Sequence, residues 1–428
     1  MRITLINQFY TPDLAPTAHL CASLAEHRAA QGDDVTVITG RGGYVAPAEH
    51  DNHSQGPVKV IRVWTAQLGS KTKLRRLLDW ATFYLVAMGR AVMLPRQDVI
   101  VAMTTPPYIA WAGVLQKLLH PSTRLVLWNM DCYPDAAERT NIIRKGGLVS
   151  RAMRMLNRML FRRIDHLVCL DPAMVDLLIS QYVPRKRQLP WTIIPNFERA
   201  DFFPKDQEAP PCDDPVVRSL SGKFVVLYLG NTGYGHEFET MMDAAEQLRS
   251  EPVVCLLVGG GARWKWIEQE RERRKLDNVI LHDYVKKELT PSVMKAADCA
   301  LITLQDFALG VMSPSKLHSN LAMGLPVIYV GPRGSNVDEA IQQFDCGLSV
   351  SRGEAQKVVE FIRELLADRD RQAQLRKNAR RAFDEAYCDL RTLPQFDAIF
   401  AKLLGGRSMR AHADATTQVA PTEGSLAR

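Results

Sequence analysis

Gly310-Val-Met-Ser-Pro-Ser-Lys-Leu-His-Ser-Asn-Leu-Ala-Met-Gly-Leu-Pro-Val-Ile-Tyr-Val330 reads as loop, helix and strand in succession, with a lysine at the mouth of the helix. Ser313 fits an N-cap and Pro314 the first helical position, while Gly324 and Pro326 end the helix ahead of an apolar strand, Val327 to Val330. Lys316 then falls in the first turn. The helix macrodipole favours acidic residues there, so a cation costs a few tenths of a kcal/mol up to ~1 unless an anion compensates it. A diphosphate would supply that anion; the alternative is a solvated lysine in an ordinary strand, loop and helix unit.

Outward from this stretch, strand-like apolar runs alternate with helical periodicity twice over, which is the pattern of α/β units with parallel sheets. The first series of strands is Ile3 to Asn7, Val35 to Thr39, Val58 to Val63, Val99 to Met103, Leu125 to Asn129, His166 to Leu170 and Thr192 to Ile194. Helices are expected between them, for example Thr17 to Ala30 and Pro107 to Leu119. The second series is Phe224 to Leu229, Val253 to Val258, Asn278 to His282, Cys299 to Thr303 and Val327 to Val330. Two sheets imply two domains, 1–200 and 201–390, with a boundary near Pro195 to Pro204 and a Pro- and Asp-rich linker from Gln207 to Pro215. The tail 405–428 has few large apolar residues and is expected to be disordered.

With 428 residues, 46% hydrophobic and 24% charged, the chain has the composition of a soluble globular protein with large cores. Met1-Arg2 runs directly into a strand, and no run of about 18 uncharged apolar residues exists, so a cytoplasmic location without a membrane span is expected. The eight cysteines are scattered without a Cys-x-x-Cys pair and read as reduced packing residues; no metal site and no cofactor are expected.

Two further turns belong with Lys316. Gly230-Asn-Thr-Gly-Tyr-Gly-His236 follows one strand and leads into a helix from Glu237 to Leu248; Gly259-Gly-Gly261 follows the next and leads into Ala262 to Lys275. Small-residue turns at the C-terminal edge of parallel strands let backbone N–H groups approach phosphates, although glycine is also common there for steric reasons alone. Neither turn is a P-loop, because no Gly-Lys-Ser/Thr follows a four-residue spacer.

At this point the residues resemble a family. Gln8-Phe-Tyr-Thr-Pro-Asp13 after the first strand, Gln31-Gly-Asp-Asp-Val-Thr-Val-Ile-Thr39, Asn129-Met-Asp-Cys-Tyr-Pro134, Ile194-Pro-Asn196, Leu229-Gly-Asn-Thr-Gly233 and Ser313-Pro-Ser-Lys-Leu317 with Ala322-Met-Gly-Leu-Pro-Val-Ile328 are similar, in this order, to the motifs of retaining glycosyltransferases of sequence family four, in their bacterial surface-polysaccharide branch. The resemblance covers about Arg2 to Gly347. It implies the GT-B fold, two facing Rossmann-like domains with a cleft between them. The first would bind the acceptor and the second a nucleotide-diphosphate sugar such as a UDP-sugar, which is a substrate and not a cofactor. A last helix at 391–404 would cross back to the first domain.

Carried over by residue, the resemblance implies that Gly230, Asn231, Gly233, His236, Gly259 and Gly260 line the donor diphosphate with Ser313 and Ser315, and that Lys316 neutralises it without a metal. Asp131 would orient the acceptor hydroxyl or steady positive charge on the sugar; its other reading is a cap at a strand end. Tyr10, Pro12, His19 and Tyr133 would lie on the acceptor side. The chain also departs from the family. Val311 and Ser319 stand where two glutamates are expected, the second of which holds ribose hydroxyls; Ser319 or Asn320 would bond a hydroxyl more weakly than a carboxylate. His236 is the one candidate cation in a turn where the family carries an Arg/Lys pair.

The net charge of +7 concentrates in places. Arg151, Arg154, Arg158 and Arg162 recur at helical spacing, with Met155, Leu156, Met159 and Leu160 on other faces, and Arg75 and Arg76 lie in a second cluster before the apolar run Leu77 to Leu94. Such stripes suit an anionic membrane surface at the inner face of the cell membrane, or are simply solvated helix faces; no nucleic-acid motif accompanies them. The expected activity is transfer of a sugar to a lipid-linked saccharide in exopolysaccharide, capsule or O-antigen synthesis. A nucleotide-sugar 2-epimerase of similar fold, or a non-catalytic sugar-nucleotide-binding homologue, are the alternatives.

Overall fold

The computed structural model describes residues 1–13, 15–41, 56–66, 73–203, 214–286 and 289–405. The first sheet contains β1 (Arg2–Ile6), β2 (Asp34–Gly40), β3 (Lys59–Val63), β4 (Val99–Met103), β5 (Arg124–Trp128), β6 (His166–Cys169) and β7 (Trp191–Ile193), in the order β3-β2-β1-β4-β5-β6-β7. The second contains β8 (Phe224–Asn231), β9 (Val253–Gly260), β10 (Val279–His282), β11 (Cys299–Thr303), β12 (Val327–Val330) and β13 (Gly347–Val350), in the order β10-β9-β8-β11-β12-β13. Every neighbouring pair of the second sheet runs parallel. Its central strand β11 is buried along its whole length, as the unbroken run Cys-Ala-Leu-Ile-Thr predicts for a strand covered on both faces.

Helices α1 (Pro16–Ala30), α2 (Lys73–Met93), α3 (Trp111–Leu119), α4 (Asp135–Arg139), α5 (Leu148–Leu160) and α6 (Pro172–Tyr182) accompany the first series of strands. With the second come α7 (Pro215–Arg218), α8 (Glu239–Gln247), α9 (Trp264–Arg274), α10 (Thr290–Lys295), α11 (Lys316–Ala322), α12 (Asn336–Phe344), α13 (Ala355–Ala367), α14 (Arg369–Ala382) and α15 (Asp389–Leu403). Period-two alternation divides the second core: Phe224, Val226 and Tyr228 of β8 pack with Phe238 and Phe361, whereas Val225 and Leu227 pack with Val254 and Leu256 on the other face.

Strands divide between the sheets near residue 200, but the compact units cut elsewhere. One unit comprises Met1–Trp128, Arg163–Leu167 and the chain from Leu393; the other comprises Asn129–Arg162 and Val168–Thr392. In the first unit, Phe396 of α15 meets the buried Trp128 ring edge-on at 4.7 Å, and Asp397 accepts hydrogen bonds from Arg28 and His27 of α1. In the second, Arg139 of α4 donates Nη1–H to Phe307 O at 3.0 Å and Leu309 O at 2.7 Å.

Three local expectations are corrected. The helix expected from Pro107 starts at Trp111, because Tyr108 takes a left-handed conformation, φ 68°, that breaks the helical path. The helix in the opening stretch starts at Lys316; Ser315 occupies the cap position and makes no side-chain cap bond. β13 is a strand beyond those expected: Gly347-Leu-Ser-Val350 carries only two large apolar residues, and its pairing with β12 makes it a strand. Seven cysteines are buried and free, as packing residues. Cys212, most of the 207–215 linker and the 406–428 tail lie outside the described residues.

Candidate functional site

The second sheet reverses its winding between β8 and β11, since β9 and β10 extend to one side of β8 and β12 and β13 to the other side of β11. Open α/β sheets bind ligands outside the carboxyl ends of strands at such a point. Lys316 lies there. Its Nζ is 3.4 Å from Asn231 O at the end of β8, 3.5 Å from His236 Nε2, and 4.8 Å from the Tyr228 ring centre. Among the described residues no carboxylate pairs with it. Desolvation lowers its pKa to about 8, so the fold holds an ammonium in a place where only backbone, imidazole and a ring face partly replace water.

His236 is not the cation the turn was expected to offer. Its Nδ1 lies 2.8 Å from Thr303 O, at the end of β11, and so carries the proton and donates it. Nε2 is left as an acceptor toward Lys316. Desolvation and then the Lys316 charge lower its pKa to about 3, which keeps the ring neutral at physiological pH. Tyr228, fully buried, donates its hydroxyl to Asn231 O at 2.7 Å and fixes the carbonyl that Lys316 faces.

The glycines divide into those the protein itself requires and those it does not. β8 and β9 stay in register to their ends, Gly230 opposite Gly259 and Asn231 opposite Gly260. A Cβ at Gly259 would stand 2.2 Å from Gly230 O, so strand packing alone accounts for that glycine, whereas one at Gly260 would stand 3.2 Å from the ring of the exposed Tyr284, which has room to shift. Gly230 has φ 128°, and a Cβ there would press on Lys316 Cε at 3.0 Å, so this glycine makes room for the lysine. At Gly233 a Cβ would meet nothing nearer than 3.8 Å, so the protein's own packing does not require a glycine there.

The remaining residues expected on the donor side differ in access. Ser315 is exposed and Ser313 half-buried. Ser319 donates its hydroxyl to Lys316 O at 3.3 Å, and Asn320 is only 6% exposed, so neither presents a free polar group comparable to the glutamate expected at 319. Val311 is fully buried, as an apolar residue in place of an acid should be.

Asp131 stands three residues beyond β5. Its side chain is exposed at the surface, yet the protein atoms crowded around it desolvate the carboxyl and push it up to about 6. The segment that carries it is braced from α5: Asn157 Nδ2 donates to Tyr133 O at 2.6 Å, and Arg154 donates to Asp135 at 2.7 Å and Glu138 at 2.6 Å. Tyr182 also hydrogen-bonds Asp135, and Ser150 bonds Glu138. This overturns one expectation. Arg154 is tied inward by two carboxylates and is not part of a cationic outer stripe; Arg151 and Arg158 are exposed. Arg75 is exposed on α2, and the Arg76 side chain lies outside the described residues.

In the first unit, Pro12 is exposed, His19 half-buried and Tyr10 only 5% exposed, so Tyr10 is a core residue and not an acceptor-side surface. A residue that sequence reading missed lies beside it. Arg62 of β3 donates Nη2–H to Thr11 O at 2.6 Å, and its buried Nη1 has no hydrogen-bond partner among the described residues. Burial lowers its pKa. Nothing in a strand run such as Lys59–Val63 marks one arginine as reaching across two strands to a loop.

Comparison with known proteins bears on the whole chain. Residues 17–196 match the family model described as a glycosyl transferase 4-like domain, and residues 213–382 match glycosyl transferases group 1. The chain is 25% identical over 403 residues to WcaI of Escherichia coli K12, named as a colanic acid biosynthesis glycosyl transferase, covering 90% of this chain and 97% of the relative. In fold it is similar to sucrose-phosphate synthase from Thermosynechococcus elongatus, with TM-score 0.70, 17% identity and coverage of 94% and 99% of the two chains. It is likewise similar to Anabaena HepE in complex with UDP, with TM-score 0.66, 16% identity and coverage of 94% and 100%. Two winding-reversal sheets, a lysine at the switch point of the second and two family matches in series have one reading: the chain belongs to the family-four-type glycosyltransferases of GT-B fold.

Proposed function

We propose that the protein is a retaining, metal-independent transferase that moves a sugar from a nucleotide-diphosphate donor of the UDP type to a lipid-linked saccharide, at the cytoplasmic face of the cell membrane. The observation that carries the reading is Lys316: a desolvated ammonium with no carboxylate partner among the described residues, held at the carboxyl ends of β8 and β11. A diphosphate meeting that ammonium replaces weak dipolar neighbours by an opposite charge. The interaction grows as the sugar–phosphate bond breaks and negative charge gathers on the leaving oxygen, which is the condition for catalysis. The acceptor hydroxyl oxygen forms the new bond to the anomeric carbon, the bonding pair to the diphosphate leaves with it, and the hydroxyl proton passes to a phosphate oxygen on the same face. Asp131, ionised above about pH 6, steadies the positive charge that develops on the sugar. The UDP in the HepE structure supports the donor class.

Purified protein and a membrane fraction, incubated with radiolabelled nucleotide sugars, provide the test. Label is expected in the lipid fraction with at least one donor and is expected to fall at least ~100-fold in Lys316→Ala. Tight nucleotide binding with no turnover for any donor would sink the proposal and leave a binding protein.

A further inference from the structure

Helix α5 is amphipathic the wrong way round for a soluble protein. Its inner face is polar: Ser150, Arg154 and Asn157 bond Glu138, Asp135 and the Tyr133 carbonyl. Its outer face is apolar. Leu148 is 84% exposed, Val149 60%, Met155 56%, Leu156 37% and Met159 44%, and at 100° per residue these five side chains fall within one sector of the helix. Along one border of that sector run Arg151, Arg158 and Arg162, all exposed. From Ile142 to Arg163 the chain has seven Lys or Arg and no Asp or Glu, a local charge equal to the +7 of the whole chain. Among the described residues Arg154 alone of these seven takes part in an ion pair, so the three arginines that border the exposed apolar ridge have no carboxylate partner there. Hydrophobic residues of this size scattered singly need no explanation; five on one helix, framed by cations, do.

We propose that the outer face of α5 is the membrane-docking surface of this enzyme, lying in the plane of an anionic bilayer with Leu148, Met155 and Met159 below the headgroups and Arg151, Arg158 and Arg162 on lipid phosphates. An apolar ridge bordered by one sign of charge has the chemistry of an interfacial helix and fits neither a second basic copy of this chain nor solvent. The placement deepens the functional reading above, on which it rests for the lipid-linked acceptor. Asn157 and Arg154, on the side opposite the ridge, hold the Asp131–Arg139 segment, so about one helix diameter, ~10 Å, separates the bilayer surface from the acceptor-side loop. A lipid-borne diphosphate or saccharide would reach that loop without leaving its membrane.

Flotation of the full-length protein with vesicles of phosphatidylcholine alone, or with 30% (about one lipid in three) phosphatidylglycerol, tests this. Binding is expected to the anionic vesicles and at least about tenfold less to the neutral ones, with loss as salt rises. Met155→Glu/Met159→Glu and, separately, Arg151→Glu/Arg158→Glu should each weaken binding at least about tenfold. Unaltered thermal unfolding of both variants is expected, because the four side chains are exposed. Equal flotation of wild type and both variants would overturn the proposal. So would sedimentation showing that wild type is a dimer which Met155→Glu/Met159→Glu dissociates, since the ridge would then be covered by a second copy. Transfer to a detergent-dispersed acceptor separates the two readings: if it persists and depends on Lys316 while no vesicle binds, docking fails and the transferase stands; if vesicles bind and no donor turns over, the reverse holds.

Discussion

Lys316 shows how a desolvated charge weighs on the fold that carries it. Its pKa of about 8 in the folded chain lies below the ordinary 10.5, so between those values the unfolded chain binds more protons. Stability therefore rises with pH across that window, and below it the buried charge is a constant cost. Lys316→Met is expected to stabilise the protein at pH 7 by about 1–2 kcal/mol, allowing for water that still reaches the half-buried ammonium, and to abolish nucleotide binding. Denaturant unfolding of the two proteins at pH 7 and pH 10.5 measures it, and the difference should shrink at the higher pH. The transfer rate should carry the same signature. In the proposed mechanism Asp131 acts ionised, with its carboxyl near 6, and Lys316 protonated, with its ammonium near 8, so a bell between about pH 6 and 8 is expected, and Asp131→Asn should lose the acid limb. A basic limb unmoved in Lys316→Arg would show that another group titrates there.

Among the elements, α5 is held by charge on its inner side, and the consequence is a stability test with an internal control. Asp135 and Glu138 have side chains 7% and 3% exposed, and both lean on Arg154. Arg154→Met leaves two buried carboxylates without their cation and is expected to destabilise by about 3 kcal/mol, whereas Arg151→Met, exposed one turn away, should stay within about 0.5 kcal/mol. Equal shifts in the urea midpoint would show that the network contributes nothing beyond a surface pair. The same helix marks where the sequence stops being legible. Period 3.6 places the four arginines on one stripe, but periodicity does not say which face meets the protein, and the polar inner partners Glu138, Asp135 and Tyr133 come from a separate segment. Long apolar runs such as Val99–Met103 and Cys299–Thr303 were readable because full burial in a parallel sheet requires them. Gly347–Val350 was not, since pairing with β12 and not its own composition makes it a strand. At the switch point, Lys316 and the turn after β8 could be found from their motifs; the protonation of His236 could not, because it depends on Thr303 O, 67 residues away.

For the whole molecule, the two sheets repeat one winding, yet the chain does not end where its second sheet does. Beyond Leu393, α15 contributes to the unit built on β1 to β5, where Phe396 and Phe400 are fully buried and Arg28 lies 5.6 Å over the Phe400 ring. Asp397 locks this end: burial alone would raise its carboxyl, but hydrogen bonds from His27, Gln31 and Arg28 outweigh that and hold it at about 2. A depressed carboxyl stabilises above its unfolded pKa and loses that contribution as pH falls through the folded value, so the attachment persists across the physiological range and weakens only in strong acid. The greater share of its strength is apolar. Phe396→Ala opens a cavity beside Trp128 and is expected to cost about 3–5 kcal/mol, felt in the unit to which α15 belongs. Hydrogen exchange read by mass spectrometry tests the location as well as the size of the effect. Peptides covering α1 and β5 should lose protection in Phe396→Ala, while those covering β8, β9 and β11 should keep theirs. Uniform loss over both sets would mean that the chain unfolds as one cooperative body, and no loss in either would mean that the helix is not bound to the first unit in solution.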